Sequence, residues 1–191
     1  HRVRVGGHVP LVVCTGEMFG GGALAACGAG YFWEAGTMRI TTSLALARLP
    51  QPNDDEAPRS ELLVDGQPTG RLLNGAVLEA AVQWHDQHLL FITDDIPYEE
   101  ALRIVLVDAS LRVLDAAELG AAYSTGSFSD LSLLPPDTVT FRFMGDTDWT
   151  VRLLDKDQFR LPLVSEPRGV SRRLGFSRRF GVDGDPQPGR R

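Results

Sequence analysis

Residues 76–119 read AVLEAAVQW (76–84), HDQ (85–87), HLLFIT (88–93), DDIPYEEA (94–101), LRIVLV (102–107), DAS (108–110) and LRVLDAAEL (111–119). Ala76, Leu78, Ala80, Val82 and Trp84 fall on one parity, the period-2 signature of a strand with one buried face. HLLFIT and LRIVLV are short, β-rich and almost continuously apolar, the pattern of strands covered on both faces. Four such runs separated by short polar turns predict an antiparallel meander.

Working outward, the same rhythm continues on both sides. Residues 130–134, 138–144, 149–154 and 158–164 read as further strands. Pro135-Pro136-Asp137, Asp146-Thr147-Asp148 and Asp155-Lys156-Asp157 form the joints between them. Upstream, Met38, Ile40, Leu44 and Leu46 alternate with Arg39, Thr41 and Ser43, predicting one long strand over 38–49 with a wet face. Asp65-Gly66 between residues 62–64 and 71–73 signals a hairpin. The acidic, proline-bounded stretch 50–60 reads as an exposed loop. Residues 9–14 form one more expected strand. The glycine-rich stretch 15–30 lacks both the Lys-Ser/Thr of a P-loop and the GxGxxG spacing, so it reads as a connection, or a short helix over 22–27, and not as a nucleotide site.

The strand-turn rhythm of 76–119 resembles one blade of a β-propeller, with its tryptophan, tight polar turn and buried strand. No second copy follows, and 191 residues leave too little chain for four blades with these loops. The expectation is therefore an all-β, mainly antiparallel fold. An up-and-down meander over residues 1–165 closes as a single sandwich or partly open barrel. Residues 166–191, rich in Arg, Gly and Pro, are expected to form an irregular basic tail with a disordered end.

Charge divides along the same boundary. The tail carries seven arginines against three acids, a net +4; the whole chain is −6, which leaves residues 1–165 at −10. An acidic body opposes general nucleic-acid binding, which requires a positive surface. No apolar run reaches the ~18 residues of a membrane span. Cys14 and Cys27 lack the paired spacing of a zinc site and cannot make a disulfide framework, although one bridge in an oxidising compartment is open to them. Leu24-Ala25-Ala26-Cys27-Gly28 resembles a lipoprotein cleavage box, but Glu17 and the glycines interrupt its apolar region. With that box set aside, the expected setting is the bacterial cytoplasm.

Chemistry-bearing patterns are sparse. The Asp-x-Asp turns at 146–148 and 155–157 lie about 20 Å apart along one strand, so they do not share a metal. If Asp86-Gln87 forms a hairpin turn, His85 and His88 face each other across the ladder but lack a third ligand. Ser124, Ser127 and Ser129 have no nucleophile elbow, and His8, His85 and His88 have no assignable catalytic partners. No catalytic residue, metal or cofactor is assigned.

A meander places successive turns at alternate ends of its sheet. One end gathers 94–101, 118–128 and 146–148, the more acidic of the two. The expected partner-binding residues are Asp94, Asp95, Tyr98, Glu99, Glu100, Asp146, Asp148 and Trp149, aromatic anchors among acids. The function they suggest is a non-enzymatic protein-binding domain. Its concrete form is an immunity protein that neutralises a basic toxin or effector by covering its active site. The alternatives are an assembly subunit using the arginine-rich tail as an arm, and a hydrolase with an unrecognised site.

Overall fold

A computed structural model describes residues 38–51, 57–96, 101–120, 126–144, 147–159, 166–172, 175 and 177–185. The expectations for residues 9–14, for 22–27 and for both cysteines lie outside the described residues, as does the expected disorder of the last several. Thirteen strands are described: β1 (Arg39–Ile40), β2 (Leu44–Arg48), β3 (Arg59–Val64), β4 (Gln67–Asn74), β5 (Val77–Trp84), β6 (Gln87–Thr93) and β7 (Leu102–Val107). They continue with β8 (Val113–Leu119), β9 (Ser129–Leu134), β10 (Thr138–Arg142), β11 (Asp148–Phe159), β12 (Val170–Ser171) and β13 (Ser177–Asp183).

The strands form three antiparallel sheets with no barrel closure. A central sheet has the order β1-β5-β6-β7-β8-β12, a second β13-β11-β10-β9, and a third β2-β3-β4. The central meander β5-β6-β7-β8 is the one read from residues 76–119. Its two inner strands explain the layering. In β6, Leu89 and Phe91 face the second sheet, joining Phe141, Trp149, Val151 and Phe180 in one core. Leu90 and Ile92 face the other way, onto Leu44, Leu62 and Leu73 of the third sheet. In β7, Ile104 and Leu106 repeat the first pattern, and Val105 and Val107 the second. An uninterrupted apolar run is what a strand covered on both faces requires. Each fully buried Leu, Ile or Phe contributes about 1.5–3 kcal/mol over its exposed state.

The Asp65-Gly66 hairpin is present, with both residues at positive φ (48° and 77°). At the crossing from β4 to β5, Gly75 has φ 119°, and a Cβ there would lie 2.2 Å from Ile92. The position accepts only glycine.

Three expectations are corrected. The strand over 38–49 is two: β1 pairs with β5 in the central sheet and β2 with β3 in the third. The break follows from local hydrogen bonding, because the Thr41 and Ser43 hydroxyls lie 2.8 Å apart and the Ser43 amide donates to Thr41 Oγ1. Second, Asp155-Lys156-Asp157 is no turn; β11 runs through it, with a register shift against β13 between Leu153 and Gln158. Of the expected strand 158–164, Gln158 and Phe159 end β11, and 160–165 lie outside the described residues. Third, the tail is not irregular where it is described. β12 pairs with β8, and β13 pairs with β11 and sends Phe180 and Val182 into the core.

What draws β13 in is a set of buried ion pairs. Arg172, with 2% of its side chain exposed, contacts Asp115 at 3.0 Å and Glu166 at 3.1 Å, and its guanidinium lies 4.3 Å from the Phe180 ring centroid. Asp115 Oδ2 also accepts the Arg179 amide at 2.8 Å, and Arg178 approaches Glu166 at 3.6 Å. Arg179 further reaches Asp157 at 3.6 Å and donates to the Asp155 carbonyl at 3.2 Å, holding the acidic segment extended against β13.

Candidate functional site

The sheet registers fix which turns meet at each end. At one end the Trp84 indole donates to the Pro136 carbonyl at 2.8 Å, and His85 Nε2 lies 4.0 Å from Asp155. The expected facing of His85 and His88 is corrected here. The turn is His85-Asp86, with His85 at φ 55°, and His88 pairs with Gln83 instead. A two-residue turn one position earlier puts His85 outside the ladder, so the two imidazoles do not oppose each other. Burial first, and then Arg39, hold the His88 imidazole below the usual histidine pKa, while Asp86 acts weakly in the other direction.

The opposite end collects the ends of β6, β8, β10 and β13 and the starts of β5, β7, β9 and β11. Two contacts tie its turns together. The Gly120 amide donates to the Gly169 carbonyl at 3.0 Å, and a Cβ on Gly169 would lie 3.5 Å from the Met144 methyl. Asp94, Asp95, Glu118, Asp130, Asp148, Asp183 and Asp185 all stand here. The arginines among them are bridges. Arg103 pairs with Asp94 on one side and with Glu118 at 3.2 Å on the other. Arg142 lies 2.8 Å from Asp148 and 3.7 Å from Asp130. Each bridge holds two carboxylates on one guanidinium and keeps a net negative charge. The adjoining turn adds exposed Arg168 and the third sheet adds exposed Arg48 and Arg59, so seven described acids stand among five arginines and the balance stays negative.

The expected binding residues divide by placement. Asp94 is buried beneath Arg103, and Asp95 is exposed at φ 56°. Asp148 is exposed and joined to Arg142. Trp149 is fully enclosed: its indole donates to the Phe143 carbonyl at 2.8 Å, and Gly184 lies against its ring. Its ring serves the core; among the described residues the exposed large apolar side chains at this end include Ile96, at 40%, and Val77, at 39%. Ile96 adjoins Asp95 and precedes a proline, and a lone isoleucine in an acidic turn gave no signal that could single it out. Tyr98, Glu99, Glu100 and Asp146 lie outside the described residues.

Among the described residues no three His, Cys, Asp or Glu side chains group as metal ligands, and no helix is long and apolar enough to cross a membrane. Of the serines and histidines weighed for nucleophilic chemistry, Ser127 and Ser129 are exposed ahead of and at the start of β9, and His8 and Ser124 lie outside the described residues. No protein-family model matches the chain, and neither the curated proteins nor the solved structures contain a match to it.

Proposed function

We propose that this chain is a non-enzymatic protein-binding domain that docks the acidic end of its sandwich on a basic surface of another protein. Its concrete form is an immunity-type inhibitor that covers the active site of a toxin or effector. One observation carries the reading: the paired bridges Asp94–Arg103–Glu118 and Asp130–Arg142–Asp148, which fix carboxylates at the end of a rigid sandwich while leaving it negative. Fixed charge of one sign steers encounter and rejects like-charged partners. Exposed Ile96 beside Asp95 adds an apolar group inside that charged ring.

The arm reading is less favoured, because Arg172, Arg178 and Arg179 are held by Asp115, Glu166 and Asp157 within the chain. The test is affinity capture from a bacterial lysate with the tagged chain and with its D95K/E99K/E100K variant. Asp94 is left intact because it is buried on Arg103. The expected result is a protein with a basic surface retained by the wild type and at least tenfold depleted with the variant. Equal recovery, or recovery of nothing by the wild type, contradicts the reading.

A further inference from the structure

The third sheet covers only part of the central one. Its outer strand β4 pairs on one side with β3, and beyond β4 the face of β8 is left bare by the described residues. A groove of about 590 Å³ runs between them. Leu73 and Val105 form its floor and are buried, while Leu72 at its lip is 47% exposed and Val113 on the far wall 51% exposed. Two strand edges flank it. Among the described residues β4 has no second neighbour, and β12 pairs with β8 only at Glu118 and Leu119. Among the described residues the groove lacks one strand.

Its two ends differ. At one, the Arg71 guanidinium donates to the Ser110 carbonyl at 3.5 Å and spans the gap. At the other stands Arg59, exposed and without an ion pair among the described residues. Pro68 offers no N–H and Gly70 has φ 72°, so the edge open to pairing is confined to residues 71–74, about 13 Å at 3.3 Å per residue.

We propose that this groove receives an extended segment of a partner protein, added to the third sheet as a fourth strand antiparallel to β4. Main-chain pairing with β4 supplies part of the affinity, and alternate side chains supply the selection. The inward positions of the guest meet Val105 and Val113 and must be apolar. Running antiparallel to β4, the guest begins at the Asn74 end, so its first residue lies beside Arg59 and should be acidic. At its Asn74 end the groove adjoins the acidic end and shares Arg103 and Glu118 with it.

The probe is a fluorescein-labelled peptide of sequence EVTVTV, titrated into the full chain and followed by anisotropy. Saturable binding is expected, weakened at least tenfold by Val113→Asp, with the thermal melt of that variant unchanged. Arg59→Glu should reverse the preference from EVTVTV to KVTVTV, a readout that misfolding does not mimic. The proposal is overturned by a titration that never saturates at millimolar protein, or by binding indifferent to both substitutions. It is also overturned if sedimentation shows wild-type dimers that Val113→Asp dissolves, since a second copy would then fill the groove.

Discussion

Asp115 carries more of the structure than its place on a solvent-edge strand suggests. Its carboxylate serves the Arg172 guanidinium and the backbone amides of Arg179 and Phe180 together. Asp115→Ala leaves the nearly enclosed Arg172 guanidinium to Glu166 and the Phe180 carbonyl and deprives two amides of this acceptor. Breaking one side of a buried pair costs about 3–5 kcal/mol, and a urea melt should register a loss of that order. His88 makes a prediction of different sign logic. Its folded pKa lies below the ordinary 6.5, with burial as the main cause. As pH falls through 6.5 the unfolded chain takes up a proton that the folded chain refuses, so stability declines on acidification until pH drops below the folded value. Melts between pH 7.5 and 5 should show that decline, and His88→Gln should flatten it. An identical slope in the variant would assign it to other groups.

At the scale of elements, legibility followed the range of the interactions that set each strand. β6 and β7 were readable because their own residues announce two buried faces. The Asp65-Gly66 hairpin was readable because its turn chemistry is local. The division of 38–49 into β1 and β2 was hidden by good alternation that continues across the Thr41–Ser43 hydrogen bonds. β13 was hidden because its arginines look solvated until Asp115, 64 residues from Arg179, is known to lie beside them. The acidic end was legible as a cluster of turns; its pairing was not, since Arg103 sits within an apolar strand and Arg142 beside a core phenylalanine. The same reasoning predicts the outcome of truncation. Removing residues 177–191 strips Phe180 and Val182 from the core and unpairs one edge of β11, so a cooperative melt followed by circular dichroism should be lost. An unchanged melt would show that β13 is dispensable.

For the whole molecule, three sheets in layers carry rim acids, of which Asp94, Glu118, Asp130 and Asp148 are held by Arg103 and Arg142. Preorganised charge acts mainly on encounter: it raises association rates by about 10–10³-fold, and the gain falls steeply with salt. Screening within about 8 Å at physiological ionic strength confines the effect to the end proposed to meet the partner. Substitutions at the far end, around His85 and Asp155, should therefore leave association unaffected. The groove beside β4, proposed to take an extended segment, runs along the flank of the same body and meets the acidic end at Arg103 and Glu118.

The most direct test is the association rate constant between the chain and the partner recovered by capture, measured from 25 to 300 mM salt for wild type and D95K/E99K/E100K. The wild-type rate should fall at least tenfold across that range, and the variant should start low and vary little with salt. Equal rates for the two proteins, flat against ionic strength, would contradict an acidic docking end.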